Sequence, residues 1–224
     1  MELAPAAATL SCVCQKTKIV VAHSPIARLE CCCMDCRKGV DWCRALREKK
    51  SSLSLMADLV YFPNWIQVVS GQDNLKPYLI KEGYDTVRVV ATCCWTPLVG
   101  NHPLYTQRRF VAYEHPLTLT FHKHNDNDID DDDDVVALPP PTRRIFTNDL
   151  TPQQLESLPP FLAIQKTKNN NLFPDPPDLE ALAVKFPEFE TLQTLIQRIG
   201  PVLFMDPNYQ GKPTEWQQLY GSIK

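Results

Sequence analysis

Four cysteines fall within the six positions Cys31-Cys32-Cys33-Met34-Asp35-Cys36, and this run constrains the chain more than any other feature. Thiols that dense do not make an orderly disulfide framework, and the total of nine cysteines is odd. They read instead as metal ligands kept reduced. Cys12-Val13-Cys14 and Cys93-Cys94 form two further clusters. In an extended strand, residues i and i+2 project from one face, so Cys12 with Cys14, and Cys31 with Cys33, can each reach one ion. Cys36 follows at a spacing where a tight turn returns a thiolate to the metal held by Cys33. The same geometry turns Cys32 away and would separate Cys93 from Cys94 if that segment were extended. Thiolates favour zinc and its tetrahedral arrangement, so the chain is expected to carry Zn2+, most simply two ions in two clusters. Cys43, beside Trp42, has no partner at ligand spacing and reads as a small buried hydrophobe. The histidines, His102 and His115 among them, are scattered and are expected on the surface or in the core.

The stretch around these clusters alternates apolar and polar residues. Lys18–Val21, Trp65–Val69, Thr86–Val90 and Leu117–Phe121 each read as a strand bounded by turn residues, which predicts a mainly β domain over 8–122. Hydrophobic residues make up 44% of the chain, enough for a real core. Seven aspartates between Asp126 and Asp134 account for the net charge of −3, and without them the chain is mildly basic. Residues 123–135 are expected to be a disordered acidic loop, since like charges at that density repel and cannot be buried. A calcium site is disfavoured there, because the glycine and terminal glutamate of an EF-hand loop are missing. Residues 136–224 read as a Pro-rich helical annex packed on the β domain. Thr151-Pro152-Gln153-Gln154 has the form of a capping box, and Pro187 to Ile199 puts Leu192, Leu195, Ile196 and Ile199 on one helical face before Gly200-Pro201.

These features also exclude classes. The basic residues are too few and too dispersed for a nucleic-acid partner. No apolar run reaches the roughly 20 residues that span a bilayer, so no membrane partner is expected. Met-Glu-Leu-Ala-Pro lacks the basic and apolar regions of an export signal, and a cytoplasmic location is expected.

Ser11-Cys12-Val13-Cys14, the Cys31–Lys38 run, Ser70-Gly71-Gln72-Asp73-Asn74-Leu75 and Cys94-Trp95-Thr96-Pro97-Leu98 stand in one order. In that order they resemble the glutathione-dependent formaldehyde-activating enzymes and the related centromere protein V domain, over roughly Leu10 to Phe121. The resemblance implies a β-tent zinc-binding fold with two ions. A structural ion would be held by Cys12, Cys14 and a later pair that includes Cys94. A working ion would be held by Cys31, Cys33 and Cys36, with one position open.

The chain departs from that pattern in several places. Cys32 stands where the family usually has histidine, Ala91 where it has the first cysteine of the later pair, Trp95 where a glycine follows that pair, and Gln15 where a glycine often follows the first pair. Cys93 can compensate for Ala91 by a shift of register.

Three thiolates with an open position make a catalytic arrangement rather than a closed one. The leading expectation is a zinc-dependent carbon–sulfur lyase whose partner is a small thiol substrate such as a glutathione adduct. Asp35 and Arg37 are candidates to orient ligands, although a turn role for Asp35 and a solvated charge for Arg37 read equally well. The alternative is a non-catalytic zinc-binding interaction module. The site of Cys12 and Cys14 with Cys94, and with Cys93 if the register shifts, is expected to be buried; that of Cys31, Cys33 and Cys36 is expected beside a cavity, and a fourth protein ligand there would favour the non-catalytic module.

Overall fold

The computed structural model describes residues 7–48, 53–81, 83–105, 107–122, 138, 141–160, 177–205 and the backbone of 220–221. The acidic segment expected at 123–135 lies outside the described residues, as does much of the expected annex. The alternating runs become two sheets. Strands β1 (Ala8–Ser11), β2 (Lys18–Val21), β5 (Ile66–Ser70) and β10 (Thr118–Phe121) form a four-stranded antiparallel sheet in the order β10-β1-β2-β5. The second sheet has nine strands. Its centre is β3 (Ala27–Cys31), β4 (Ala57–Pro63), β9 (Arg109–Tyr113), β8 (Thr96–Asn101), β7 (Val87–Ala91) and β6 (Leu75–Leu79), each antiparallel to the next.

Period-two alternation decides what each face of the large sheet buries. Val60 and Phe62 of β4, Val89 and Ala91 of β7, and Phe110 and Ala112 of β9 face the small sheet and meet Leu10, Ile19 and Val21 in the main core. Phe62 stacks there on Phe110 at 5.6 Å between ring centroids. Leu59, Tyr61, Val111 and Tyr113 point the other way, into a second apolar layer. Each fully buried side chain of this size contributes about 1.5–3 kcal/mol.

That second layer is covered by a helix, α1 (Met34–Glu48), which the alternating runs of this mainly β stretch do not announce. The residues do carry a helical signal. Gly39, Trp42, Cys43 and Leu46 repeat at i, i+3, i+4 and i+7, all are buried, and Ala45-Leu46-Arg47-Glu48 are good helix formers. Gly39 costs the helix up to about 1 kcal/mol relative to alanine. A Cβ there would lie 3.1 Å from Arg88 Nε, so the glycine lets α1 sit close on the sheet.

The C-terminal region is helical, and strands of it are woven into the large sheet. β11 (Arg143–Ile145) lies parallel to β3 on one edge, while β12 (Val202–Phe204) lies parallel to β6 and pairs with the backbone of β13 (Tyr220–Gly221) on the other. Between them come α2 (Pro152–Glu156), α3 (Leu179–Lys185) and α4 (Leu192–Arg198). The capping box of α2 forms in full, with Gln154 N–H donating to Thr151 Oγ1 (3.2 Å) and Thr151 N–H to Gln154 Oε1 (3.0 Å).

The helix expected from Pro187 instead begins at Leu192, capped by Thr191. Glu190 is held back because its backbone exchanges two hydrogen bonds with Ile66, at 2.9 and 2.8 Å. The expected stripe of Leu192, Leu195, Ile196 and Ile199 enters the main core. Among the described residues no helix is long and apolar enough to cross a membrane.

Candidate metal centres

Cys12, Cys14, Cys93 and Cys94 come together from two turns. β1 ends at Ser11, and the chain reverses at once: Gln15 N–H donates to Cys12 O (2.9 Å), and Gln15 takes a left-handed conformation with φ 62°. After β7, Cys94 N–H donates to Ala91 O (3.3 Å), and Trp95 is left-handed with φ 51°. In both turns the thiols precede a left-handed residue that would ordinarily be glycine. Because Cys93 and Cys94 sit in a turn rather than a strand, both sulfurs converge, whereas an extended segment would have parted them.

The sulfur separations suit one ion. Cys12–Cys14 is 3.5 Å, Cys12–Cys93 3.8 Å, Cys14–Cys93 3.4 Å and Cys93–Cys94 3.9 Å. A tetrahedron with metal–thiolate bonds of ~2.3 Å has edges of about 3.8 Å. Hydrogen-bond donors point at the sulfurs as well. Thr17 N–H donates to Cys12 Sγ (3.3 Å), and Thr96 Oγ1 accepts from Val13 N–H (3.2 Å) while lying 3.0 Å from Cys94 Sγ.

The loop that joins β5 to β6 clamps the two turns together. Gly71 O accepts from Thr17 Oγ1 (3.4 Å), and Asn74 O accepts from Thr92 N–H (2.8 Å) and Thr92 Oγ1 (2.9 Å). Gly71 has φ +70°, and a Cβ there would sit 2.3 Å from Lys16 O. Only glycine fits.

This centre is not buried as expected. Cys12 is, but Cys14 is exposed and Val13 is 47% exposed, because the first pair occupies the β1–β2 turn at the end of its sheet. A backbone hydrogen bond at Lys16 brings the Cys14 thiol down to about 7, against the opposing effect of its slight burial, while burial raises Cys12 and pushes Cys93 up to about 12.

Cys31, Cys33 and Cys36 form the other cluster, with all sulfurs within 4.8 Å of one another. Cys31 is the last residue of β3, and Cys33 directly precedes α1. Cys33 Sγ accepts the amide of Cys36 at 3.3 Å, as a serine would at a helix N-cap. The expected tight turn is therefore the first turn of a helix. Thiol donation from Cys31 and then Cys36 holds Cys33 down at about 3 in spite of burial. Cys31 is pushed far up by its bond to Cys33. In Cys36 the bond to Cys31 lowers the thiol, but the bond to Cys33 and burial outweigh it and push it up to about 12. An ion bound there would need all three sulfurs as thiolates, so its uptake would release protons.

Cys32 is buried and outside the cluster, its amide donating to Ile145 O at 3.0 Å. Among the described residues no histidine or carboxylate joins these three sulfurs. Cys43 is buried 3.7 Å from Tyr78 Oη, away from both clusters. Asp35 is half-buried in the first turn of α1, with burial raising its carboxyl. Arg37 is not a solvated charge: it is buried, its Nε donates to Ser54 O at 2.7 Å, and its Nη1 is buried without a hydrogen-bond partner. The β11 segment encloses the cluster from the far side, with Asp149 Oδ2 accepting Met34 N–H (3.0 Å) and Arg144 paired to Glu30 (2.6 Å).

Sequence reasoning missed Thr17 and Thr96. The two threonines adjoin the cysteine turns, a position that could have flagged them.

The two donor sets, one of four thiols and one of three, each fit a single thiolate-binding ion. Comparison of the chain with family models, with curated proteins and with solved structures found no match.

Proposed function

We propose that the chain binds two zinc ions, and that the three-cysteine centre is the working site of a carbon–sulfur lyase acting on a small thiol adduct, such as a glutathione thiohemiacetal. The observation that carries this reading is the unequal ligand count, four cysteines in one cluster and three in the other. Four thiolates complete a zinc ion, whereas three leave a position for an exogenous group. Zinc is favoured over other ions by the all-sulfur donor sets and by the tetrahedral sulfur spacing. A zinc ion held by Cys31, Cys33 and Cys36 would supply a Lewis acid that can take up a thiolate or polarise a hydroxyl. Cleaving a thiohemiacetal carbon–sulfur bond returns thiol and aldehyde, the hydroxyl proton ending on sulfur, so no oxidant or reductant is needed.

The chain's own residues would hold that site in place. Cys31 anchors it to β3, Cys36 to α1, and the Asp149 cap fixes the start of the helix. The resemblance to the formaldehyde-activating enzymes contributes the substrate class. It is supported by Gln15 and Trp95, which occupy the family's glycine positions and adopt positive φ. A cytoplasmic location belongs to the same reading, since the clusters need reduced thiols.

Metal content by mass spectrometry tests the first part: two zinc ions per chain, falling by one in Cys33→Ala. Less than about half an equivalent in protein purified under reducing conditions would sink it. Turnover of glutathione with formaldehyde, lost in Cys33→Ala, tests the second. Full zinc occupancy without turnover of any thiol–aldehyde adduct would instead favour a non-catalytic module of the centromere protein V kind.

A further inference from the structure

The hydrogen bonds around Cys33 come from two parts of the chain. On the helix side they are local: Cys33 Sγ accepts the Cys36 amide (3.3 Å), and Cys33 O accepts the Arg37 amide (3.2 Å). The amides of its two neighbours are held from far along the sequence. Cys32 N–H donates to Ile145 O (3.0 Å), and Met34 N–H donates to Asp149 Oδ2 (3.0 Å). Segment 145–149 therefore brackets Cys33, with one bond on each flank. Met34 N–H belongs to the planar peptide group that follows Cys33, and Cys32 N–H to the one that precedes Cys32. Fixing both limits how the chain can turn about the Cys33 Cα, and so where its sulfur points.

The bracket itself is lightly attached. None of residues 141–150 is buried, and β11 is a three-residue strand on the edge of the large sheet. Its attachments are mostly polar: Thr142 N–H and Oγ1 donate to Arg28 O (2.9 and 3.1 Å), and Arg144 pairs with Glu30 (2.6 Å). Ile145, abreast of Cys31, joins the edge of the second apolar layer. Phe146 follows it, 60% exposed and left-handed with φ 57°, a conformation that a bulky side chain disfavours. A segment with so little apolar burial detaches far more easily than the sheet unfolds.

We infer that segment 141–150 is a metal-linked strap: docked, it positions Cys33 for an ion, and an ion on Cys31, Cys33 and Cys36 in turn holds the strap down. Asp149 is the positioning residue in this coupling, since its side chain makes one of the two flanking bonds. Linkage makes the two effects one quantity. Whatever the docked strap adds to metal affinity, the metal adds to docking. The four-cysteine centre stands outside this coupling, because its turns are clamped by the β5–β6 loop instead.

This inference rests on the metal reading of the three-cysteine cluster, and the experiment separates the two. Zinc affinity is measured stepwise by competition with a chromophoric chelator, and amide exchange over 141–150 is followed by mass spectrometry with and without zinc. Wild type, Asp149→Ala, Asp149→Asn and Cys33→Ser are compared. Wild type with a single ion, on the four-cysteine centre, would overturn the metal reading and this inference with it. Given two ions, Asp149→Ala should weaken the one that Cys33→Ser lacks by about tenfold and leave the other unchanged. Asp149→Asn keeps an acceptor oxygen and should stay within about threefold of wild type. Zinc should slow exchange over 141–150 by about tenfold in wild type and have no effect there in Cys33→Ser. Unchanged affinity in Asp149→Ala, equal losses at both centres, or exchange indifferent to zinc would make the segment a passive cover and overturn the inference. If Asp149→Ala fails to fold, the exchange of wild type against Cys33→Ser decides alone.

Discussion

The two cysteine clusters lie on opposite faces of one sheet and are built in opposite ways. The four-cysteine cluster adjoins the main core, joins turns 79 and 81 residues apart, and ends at the surface. The three-cysteine cluster is gathered within one short run beside α1, with Cys31 buried and Cys33 and Cys36 half-buried. The centre with fewer ligands is thus the one with no exposed thiol. A closed centre needs no shelter, because its ligands already exclude other groups. An incomplete one gains from partial shelter, because charges and hydrogen bonds act more strongly on whatever takes the remaining position as water is excluded.

The sharpest way to break this comparison is to remove one thiol from each cluster. Cys12→Ser should unlink β1 from the turn after β7 and lower the melting temperature by ~10 °C or more, on the order of 3 kcal/mol. Cys33→Ser, whose neighbours are local, should cost less than half of that by the same measurement. Equal losses would mean that both centres brace the fold alike.

Gly71→Ala comes next, since it touches no ligand yet forces a Cβ against Lys16 O at 2.3 Å. We expect a loss of about 2–4 kcal/mol in denaturant unfolding and a weakened four-cysteine centre, with the three-cysteine centre intact. A neutral result would show that the β5–β6 loop does not clamp the turns.

The left-handed residues give a smaller and opposed pair of effects. Gln15→Gly relieves φ 62° on a surface turn and should stabilise by about 0.5–1 kcal/mol. Trp95→Gly relieves φ 51° but gives up an edge-on contact with Trp42 at 5.8 Å, so it should destabilise. If both variants stabilised, packing would not be what keeps tryptophan there.

The finest distinction is chemical. In chelated protein Cys14 should be alkylated before any cysteine of the three-cysteine cluster. It is exposed and its thiol is lowered to about 7, so the rate should rise as pH increases through 7. Peptide mapping after brief iodoacetamide treatment reads this directly. Faster labelling of Cys33 or Cys36 would show that their layer is open.

Strands and cluster membership were legible because they depend on local pattern: alternation fixed the faces of β2, β5, β7 and β10, and i, i+2 and i, i+3 spacing marked the thiols. What escaped depended on tertiary context. The helical stripe of α1 was hidden by its charged residues, two of which, Arg37 and Asp41, are buried in the fold, and by a cysteine run that reads equally well as a strand. The convergence of Cys93 with Cys94 required a turn closed by Trp95, a residue that announces no turn.

Because the four-cysteine centre is assembled across 79 to 81 residues, it also sets an order of events. Its second pair of thiols cannot meet the first until β1 and β7 are both in place, which would make an ion there a late arrival in folding. The Cys31–Cys36 run closes a loop of only a few residues and can capture metal while the rest of the chain is still unfolded. In refolding followed by a metal-release dye, uptake should come in two phases, with the fast phase surviving in Cys12→Ser and vanishing in Cys33→Ser.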